Sequence, residues 1–506
     1  MNDKIKILMT SDVHAYVYPY SYANGKAMDH GFGKVAHTFR RLKDENTILI
    51  DNGDNLEGSP LAYYHFEKRR NEPNPFAKIM NAIGYDFYNL GNHDFNHGED
   101  VLLDFVSSLH MPCLCANILY DGKPFSKPYH LKKIAGKTLA IFGVCTQHIP
   151  NWEKPENIAH MSFIDAFDCA RDICRQIKEN ENADYVIGVY HGGFETDPDT
   201  LEPKGAQGGE NKGYQMCMEI DNLDVLLCGH QHMEMCGTCN GTLYIQNAHN
   251  GSQISYVEID TKTNEIRARL LNVDPQADQD ILDIMKDEEQ DCQKWLDQPL
   301  GTTDVDLLIK DEFDARLHKS QVITFLNNVC FEATGADISA NALFLFAKGF
   351  EKNITMRDLV ATYVFPNTLV VKKIDGKILK EYLERDAQFW DVKDGKIVVE
   401  AHNDFPTPQH HNYDMLDGVE YTIKVSNPVG HRVTSLTRNG IAVKGEDEFT
   451  LCVNNYRAAG GGDYDMIKDA PTLKEIQRNV VEVIAEYIEK HKVIDFEPVN
   501  NIKIEI

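Results

Sequence analysis

Up to about residue 260, short runs rich in β-branched and aliphatic residues alternate with segments of helical period, and this alternation limits the folds open to the chain more than any other feature. The runs are IKILMT (5–10), NTILI (46–50), YDFYNL (85–90), TLAIFG (138–143), DYVIGVY (184–190), DVLLC (224–228) and TLYIQ (242–246). Helical spacing falls at 33–45, 74–84, 98–110 and 163–182. Strands separated by helices predict a layered α/β domain, because each crossover helix covers one face of the sheet it connects. Within 163–182, Phe163, Phe167, Ala170, Cys174 and Ile177 recur at intervals of three and four, a stripe that reads as core.

The pattern changes after Asp274-Pro275, where composition alone would cut the chain. A charged helix-like stretch (277–296) and a second helix (319–334) precede strand-like runs LVVKKI (369–374), KIVVEA (396–401), VEYTIKV (419–425) and EFTLCVNNY (448–456), with a helix expected at 474–491. Gly-, Asn- and Pro-containing turns join these runs, so the second half reads as a separate, smaller α+β domain. A chain of 506 residues with 42% hydrophobic content has enough apolar mass for two cores.

Charge narrows the function classes. The chain has 51 basic against 78 acidic residues, a formal net charge of −27, which opposes duplex nucleic acid and anionic lipid. A phosphate substrate stays compatible, since divalent cations can invert the field inside one cleft. No apolar run approaches the roughly 20 residues of a spanning helix. The N-terminus MNDKIKILMTSD reads as a strand and not as a signal peptide, and the 12 cysteines are scattered, several of them in apolar stretches. The expectation is a cytoplasmic chain with free thiols. Cys236-Gly-Thr-Cys239 could be half a zinc site or a redox pair, but with no matching second pair a plain loop is the better reading.

Five short motifs each follow a predicted strand: SDVH (Asp12, His14), DNGDN (Asp54), GNHD (Asn92, His93), YHGG (His191) and GHQH (His230, His232). Loops at the carboxyl ends of strands in an α/β sheet converge on one crevice, so these residues can meet there. Carboxylate, amide and imidazole donors together suit Mn, Fe or Zn. Asp12 and His14, like His230 and His232, are one residue apart, which in an extended segment sends both side chains to the same side. A single such histidine is more often structural than a ligand; five motifs in this order are a different matter.

The order D-x-H, G-D, G-N-H-[DE], strand-end His, G-H-x-H resembles the calcineurin-like metallophosphoesterases, and within them the two-domain 5′-nucleotidase and 2′,3′-cyclic-nucleotide 2′-phosphodiesterase family. The resemblance implies a layered metallophosphoesterase domain at 1–317, with β-sheets flanked by helices, an inter-domain helix at 318–335 and a nucleotide-binding domain at 336–506. It implies one divalent metal on Asp12, His14, Asp54 and His232, a second on Asp54, Asn92, His191 and His230, and Asp54 as the bridge. Hydrolysis would then be in-line attack on phosphorus by a metal-activated water, with His93, oriented by Asn96, as general acid. The segments YVFPN (363–367) and NNYRAAGGGDY (454–464) resemble those that clamp the base, which maps onto Phe365, Asn367 and Tyr456. The resemblance also implies a hinge between the domains.

Two departures point to one branch. SANALF (339–344) lacks the arginine that 5′-nucleotidases carry there, and Asn96 stands where they have an aspartate. Both features look like the cyclic phosphodiesterase/3′-nucleotidase branch. The expected activity is hydrolysis of 2′,3′-cyclic nucleotides and 3′-nucleotides. The alternatives are a 5′-nucleotidase or nucleotide-sugar hydrolase and, from another class, a nucleotide-binding sensor without turnover.

Overall fold

The computed structural model describes residues 3–202, 209–363, 367–404, 408–476, 478 and 480–506. The chain forms two compact units, Met1–Cys292 and Gln293–Ile506.

In the first unit the alternation becomes two sheets. One runs in the order Ile266–Asn272, Gln253–Asp260, Lys4–Thr10, Thr47–Asp51, Phe87–Tyr88, the last three strands parallel. The other runs Met235–Cys239, Thr242–Gln246, Val225–Cys228, Tyr185–His191, Lys137–Cys145, His130–Ile134, with its four central strands parallel. Ile5, Ile7, Ile48 and Ile50 of the first sheet share a core with Leu139, Ile141, Ile187, Val189 and Leu227 of the second, so the sheets pack face to face. The opposite face of the second sheet offers Ala140, Phe142, Val144 and Leu226 to the helix Ala166–Asn180. Its inner strands are therefore buried on both faces, which is why they read as continuous apolar runs. Each such side chain gains about 1.5–3 kcal/mol over exposure, enough to settle which face points inward.

The helix Ala166–Asn180 uses Phe167, Ala170, Cys174 and Ile177 as its buried stripe. Phe163 is not part of it: the Asp165 side chain accepts the Asp168 N–H and starts the helix after Phe163, which ends the short strand Met161–Phe163. The Cys236/Cys239 pair lies on the strand Met235–Cys239, with Cys236 exposed and Cys239 buried. Residues three apart on a strand point to opposite faces, so the two thiols do not converge.

The second unit is built on a mixed sheet in the order Asp414–Asp417, Ile338–Ala342, Glu448–Asn454, Leu369–Asp375, Thr472–Ile476. The helix expected at 474–491 begins only at Val480; residues 472–476 instead pair antiparallel with Leu369–Asp375. The units divide at Cys292/Gln293 rather than near residue 318, because the strand Pro299–Thr303 pairs with Asn353–Thr355 and Val493–Ile494 of the second unit.

Candidate metal centre

The parallel strands of both sheets in the first unit deliver the five motifs. Asp12 and His14 follow Lys4–Thr10, Asp54 follows Thr47–Asp51, Asn92 opens the turn Asn92–Phe95 after Phe87–Tyr88, His191 ends Tyr185–His191, and His230 and His232 follow Val225–Cys228. Two groups result: ligand atoms of Asp12, His14 and His232 lie within 4.8 Å of one another, as do those of Asp54, His191 and His230. Asn92 Oδ1 is 2.7 Å from His230 Nδ1. The groups adjoin through Asp12, whose Oδ1 is 3.4 Å from His232 Nε2 and 3.8 Å from His191 Nε2.

The local conformation differs from the expectation of extended pairs. Asp12, His14, Asp54, His230 and His232 have φ of 57°, 53°, 62°, 75° and 57°. Left-handed backbone costs a non-glycine residue about 1–3 kcal/mol and clusters at functional sites, where the surroundings impose it. At Asp12, His14 and Asp54 hydrogen bonds hold it: Asp12 N–H donates to the Gly53 carbonyl at 3.0 Å, His14 N–H to the Asp54 carbonyl at 2.8 Å, and Asn250 N–H to the Asp12 carbonyl at 2.7 Å. Asp94, the last residue of GNHD, accepts from the backbone N–H of Gly91 (2.9 Å), Asn55 (2.9 Å) and Asp54 (3.2 Å), tying two motif loops together. A side chain at Gly91 would run into Asp54 and His191, so a glycine is required there.

The imidazole rings are held in place by hydrogen bonds from behind. His14 Nδ1 donates to the Glu57 carbonyl at 3.1 Å, and His191 Nδ1 donates to the Asn52 carbonyl. A carbonyl only accepts, so each ring is protonated on that side and turns its Nε2 toward the cluster. In His230 the ends are exchanged: Nε2 is held by Glu210 Oε1 at 2.6 Å and Nδ1 faces Asn92. His232 stacks on His249, ring centroids 4.6 Å apart and 19° between planes. Rings with one nitrogen tied back, among buried carboxylates, fit a pair of divalent cations.

The electrostatics agree with that fit. Burial works against charge on Asp12, but His191, His232 and His14 outweigh it and hold the carboxyl well below its ordinary range. Asp54 is likewise lowered against burial, chiefly by His191 and His93. Burial and His232 push His14 down to about 3, whereas Asp54 and Asp12 overcome burial to raise His191 to about 10. Without metal, a proton on His191 thus balances buried negative charge that cations would otherwise balance.

His93 belongs to neither group. Its backbone N–H donates to Asp54 Oδ1 at 2.7 Å and its Nδ1 is 2.8 Å from Asn96 Oδ1, so the expected pairing with Asn96 is present. In the second unit Phe365 lies outside the described residues. Tyr456 keeps a partly exposed ring, and the next residue, Arg457, is buried with Nε 2.8 Å from Asp414 Oδ2. Asn367 Nδ2 donates to Tyr363 Oη at 3.4 Å, a long bond, and its carbonyl accepts Val480 N–H at 2.8 Å.

No sequence signal marks Glu210, since a lone glutamate in GGENKG has no period and no motif. Contact with His230 alone gives it a role: a carboxylate behind a metal-binding histidine fixes the ring and raises its basicity. Glu210→Gln is expected to weaken metal binding by about 10–100-fold while the thermal unfolding midpoint of the metal-free chain stays nearly constant. Titration with a competing chelator checks this, and unchanged affinity would remove Glu210 from the site.

Comparisons with known proteins cover both units. The family Calcineurin-like phosphoesterase matches residues 5–234, and the family 5′-nucleotidase, C-terminal domain, matches 299–469. A crystal structure of a Staphylococcus aureus protein, provisionally named a 5′-nucleotidase and solved with α-ketoglutarate, is 34% identical, covers 99% of this chain and 100% of its own, and superposes with a TM-score of 0.91. The 2′,3′-cyclic-nucleotide 2′-phosphodiesterase/3′-nucleotidase of Haemophilus influenzae is 25% identical over 96% of this chain and 84% of its own length. A 5′-nucleotidase of Vibrio parahaemolyticus is 22% identical over 97% of this chain and 90% of its own.

Proposed function

Since the chain belongs to the calcineurin-like phosphoesterases that carry a 5′-nucleotidase C-terminal domain, and is a hydrolase of phosphoester bonds, we propose that it prefers 2′,3′-cyclic nucleotides and 3′-nucleotides over 5′-nucleotides. In this reading one divalent cation is held by Asp12, His14, Asp54 and His232 and a second by Asp54, Asn92, His191 and His230. The observation that carries it is the meeting of ligand atoms from four strand ends in two groups, each spanning no more than 4.8 Å. The donors are carboxylate, imidazole and one amide with no thiolate, which favours Mn, Zn or Fe. When bound, the cations would supply Lewis acidity toward a phosphoryl oxygen and make a water acidic enough to attack at neutral pH.

The protein's own groups do the rest. His93 has Nδ1 engaged by Asn96, which leaves Nε2 to donate a proton to the departing ribose oxygen. The loops that hold Asp54 and Asn92 are locked to each other by Asp94, so the site is preorganised and little reorganisation is left for the reaction step. Tyr456 is assigned to stack on the base and Asn367 to accompany it.

The substrate preference rests on Asn96, on the missing arginine in 339–344 and on the cyclic-phosphodiesterase relatives. Metal-reconstituted enzyme assayed with 2′,3′-cyclic AMP, 3′-AMP and 5′-AMP is expected to give higher kcat/KM for the first two. A preference for 5′-AMP over both by about tenfold would replace this assignment with a 5′-nucleotidase. In the same assay Tyr456→Ala should weaken nucleotide binding by about 1–3 kcal/mol, the scale of one base stack, and leave p-nitrophenyl phosphate hydrolysis unchanged. Equal loss with both substrates would make Tyr456 a support of the fold.

A further inference from the structure

A histidine paired with an asparagine has an ambiguity that one paired with an aspartate does not. A carboxylate only accepts, so it forces the proton onto the facing ring nitrogen; an amide can turn either its oxygen or its NH₂ toward the ring and so permits both tautomers. Asn96 is such a partner for His93, and what lies behind it decides the matter. Asn96 Nδ2 is 2.7 Å from Glu153 Oε2. Glu153 Oε1 in turn accepts from the Lys154 backbone N–H at 2.8 Å and from Asn157 Nδ2 at 2.8 Å, and Asn157 Nδ2 also reaches the Asn96 carbonyl at 2.9 Å. The same short segment lays Trp152 over His230, ring centroids 5.6 Å apart and 26° between planes.

We propose that Glu153 is a positioning residue that, through Asn96, holds His93 in the Nδ1–H form. The proposal rests on the role given to His93 above. The physical reason is complementarity. A carboxylate has no proton to give, so Asn96 must present its NH₂ to Glu153; the reversed amide would set oxygen against carboxylate and lose that bond. With Nδ2 thus committed, Oδ1 faces His93 and can only accept, so Nδ1 keeps its proton whether the ring is neutral or charged. All proton exchange by His93 is then confined to Nε2. Two residues, an amide and a carboxylate in series, reproduce what a single aspartate would do. A mere surface network would not need this polarity, and its loss would leave the tautomer of His93 untouched.

The test is Glu153→Gln in the full-length zinc-loaded enzyme. Glutamine keeps the size of the side chain but can offer an oxygen or an NH₂ to Asn96, so the amide is free to reverse. Long-range ¹H–¹⁵N spectra of histidine-labelled protein, with the His93 signals assigned from His93→Gln, should move from one Nδ1–H pattern to a mixture. We expect kcat to fall by roughly tenfold, less than the ~10⁴-fold seen when a partner imposes the wrong tautomer outright, with KM and zinc content unchanged. The double variant Asn96→Asp with Glu153→Gln should restore the single pattern and most of kcat, because the aspartate accepts from both neighbours. A single Nδ1–H pattern that persists in Glu153→Gln would overturn the proposal, as would loss of zinc in step with activity, which would make Glu153 a structural support. A tautomer mixture with undiminished kcat would uphold the action of Glu153 on the ring and instead sink the general-acid role of His93.

Discussion

Asp54→Ala should abolish phosphoester hydrolysis and strip metal from the protein. Asp54 is 1% exposed, and its Oδ2 is 3.1 Å from His191 Nε2. As the proposed bridge it would be shared by both cations, so its loss removes a ligand from each and part of the charge that balances them. The fold should survive, because Asp54 sits in a loop beyond the strand Thr47–Asp51 and outside both apolar cores. Alanine tolerates the φ of 62° less well than aspartate, so part of any stability loss will be conformational. Asp54→Asn separates the two effects, since asparagine accepts left-handed backbone and keeps the shape. It should lose activity as completely as alanine with a smaller drop in melting temperature. Elemental analysis of the purified variants decides the matter: two metals per chain with near-normal turnover would refute the bridge.

His93→Ala should lower kcat by about 10²–10⁴-fold, the usual yield of general acid catalysis, with metal content nearly intact. The argument is one of position. The His93 ring lies beside that of His14, centroids 5.4 Å apart, yet it is in neither ligand group, and its hydrogen bond to Asp54 is made by its backbone N–H, which alanine retains. The loss should shrink for p-nitrophenyl phosphate, whose leaving group needs no proton, compared with a nucleotide, whose ribose oxygen does. Metal loss equal to that of Asp54→Ala would mean that His93 supports the site's structure, and the proton donor would have to be sought elsewhere.

The elements most legible in the sequence are those governed by local rules. The parallel strands are visible as apolar runs because burial on both faces keeps their central positions apolar, as in Lys137–Cys145, where Leu139 and Ile141 lie on one side and Ala140 and Phe142 on the other. Sequence pattern and structure part where a short-range signal is ambiguous. Phe163 matched the helical period but lies ahead of the cap at Asp165, and residues 474–476 joined a sheet edge although they adjoin a helix.

For the candidate site, the order of the five motifs points to Asp12, His14, Asp54, Asn92, His191, His230 and His232, since each stands at or just after a strand end and strand ends can be read. Their conformation could not be read. The left-handed turns at Asp12, His14 and Asp54 are held by hydrogen bonds that reach residues as distant in sequence as Asn250, and no local pattern announces them. The same holds for Glu210 behind His230, Glu153 behind Asn96 and Trp152 over His230, separated from their partners by 20, 57 and 78 positions. Sequence alone therefore determined the layered architecture, the two-part organisation and the inventory of polar groups at the strand ends, because periodicity and strand direction are properties of neighbouring residues. Tertiary structure alone decided which nitrogen of each imidazole faces the cluster and which carboxylate stands behind it, because a hydrogen bond depends on distance and direction in space and carries no trace of separation along the chain.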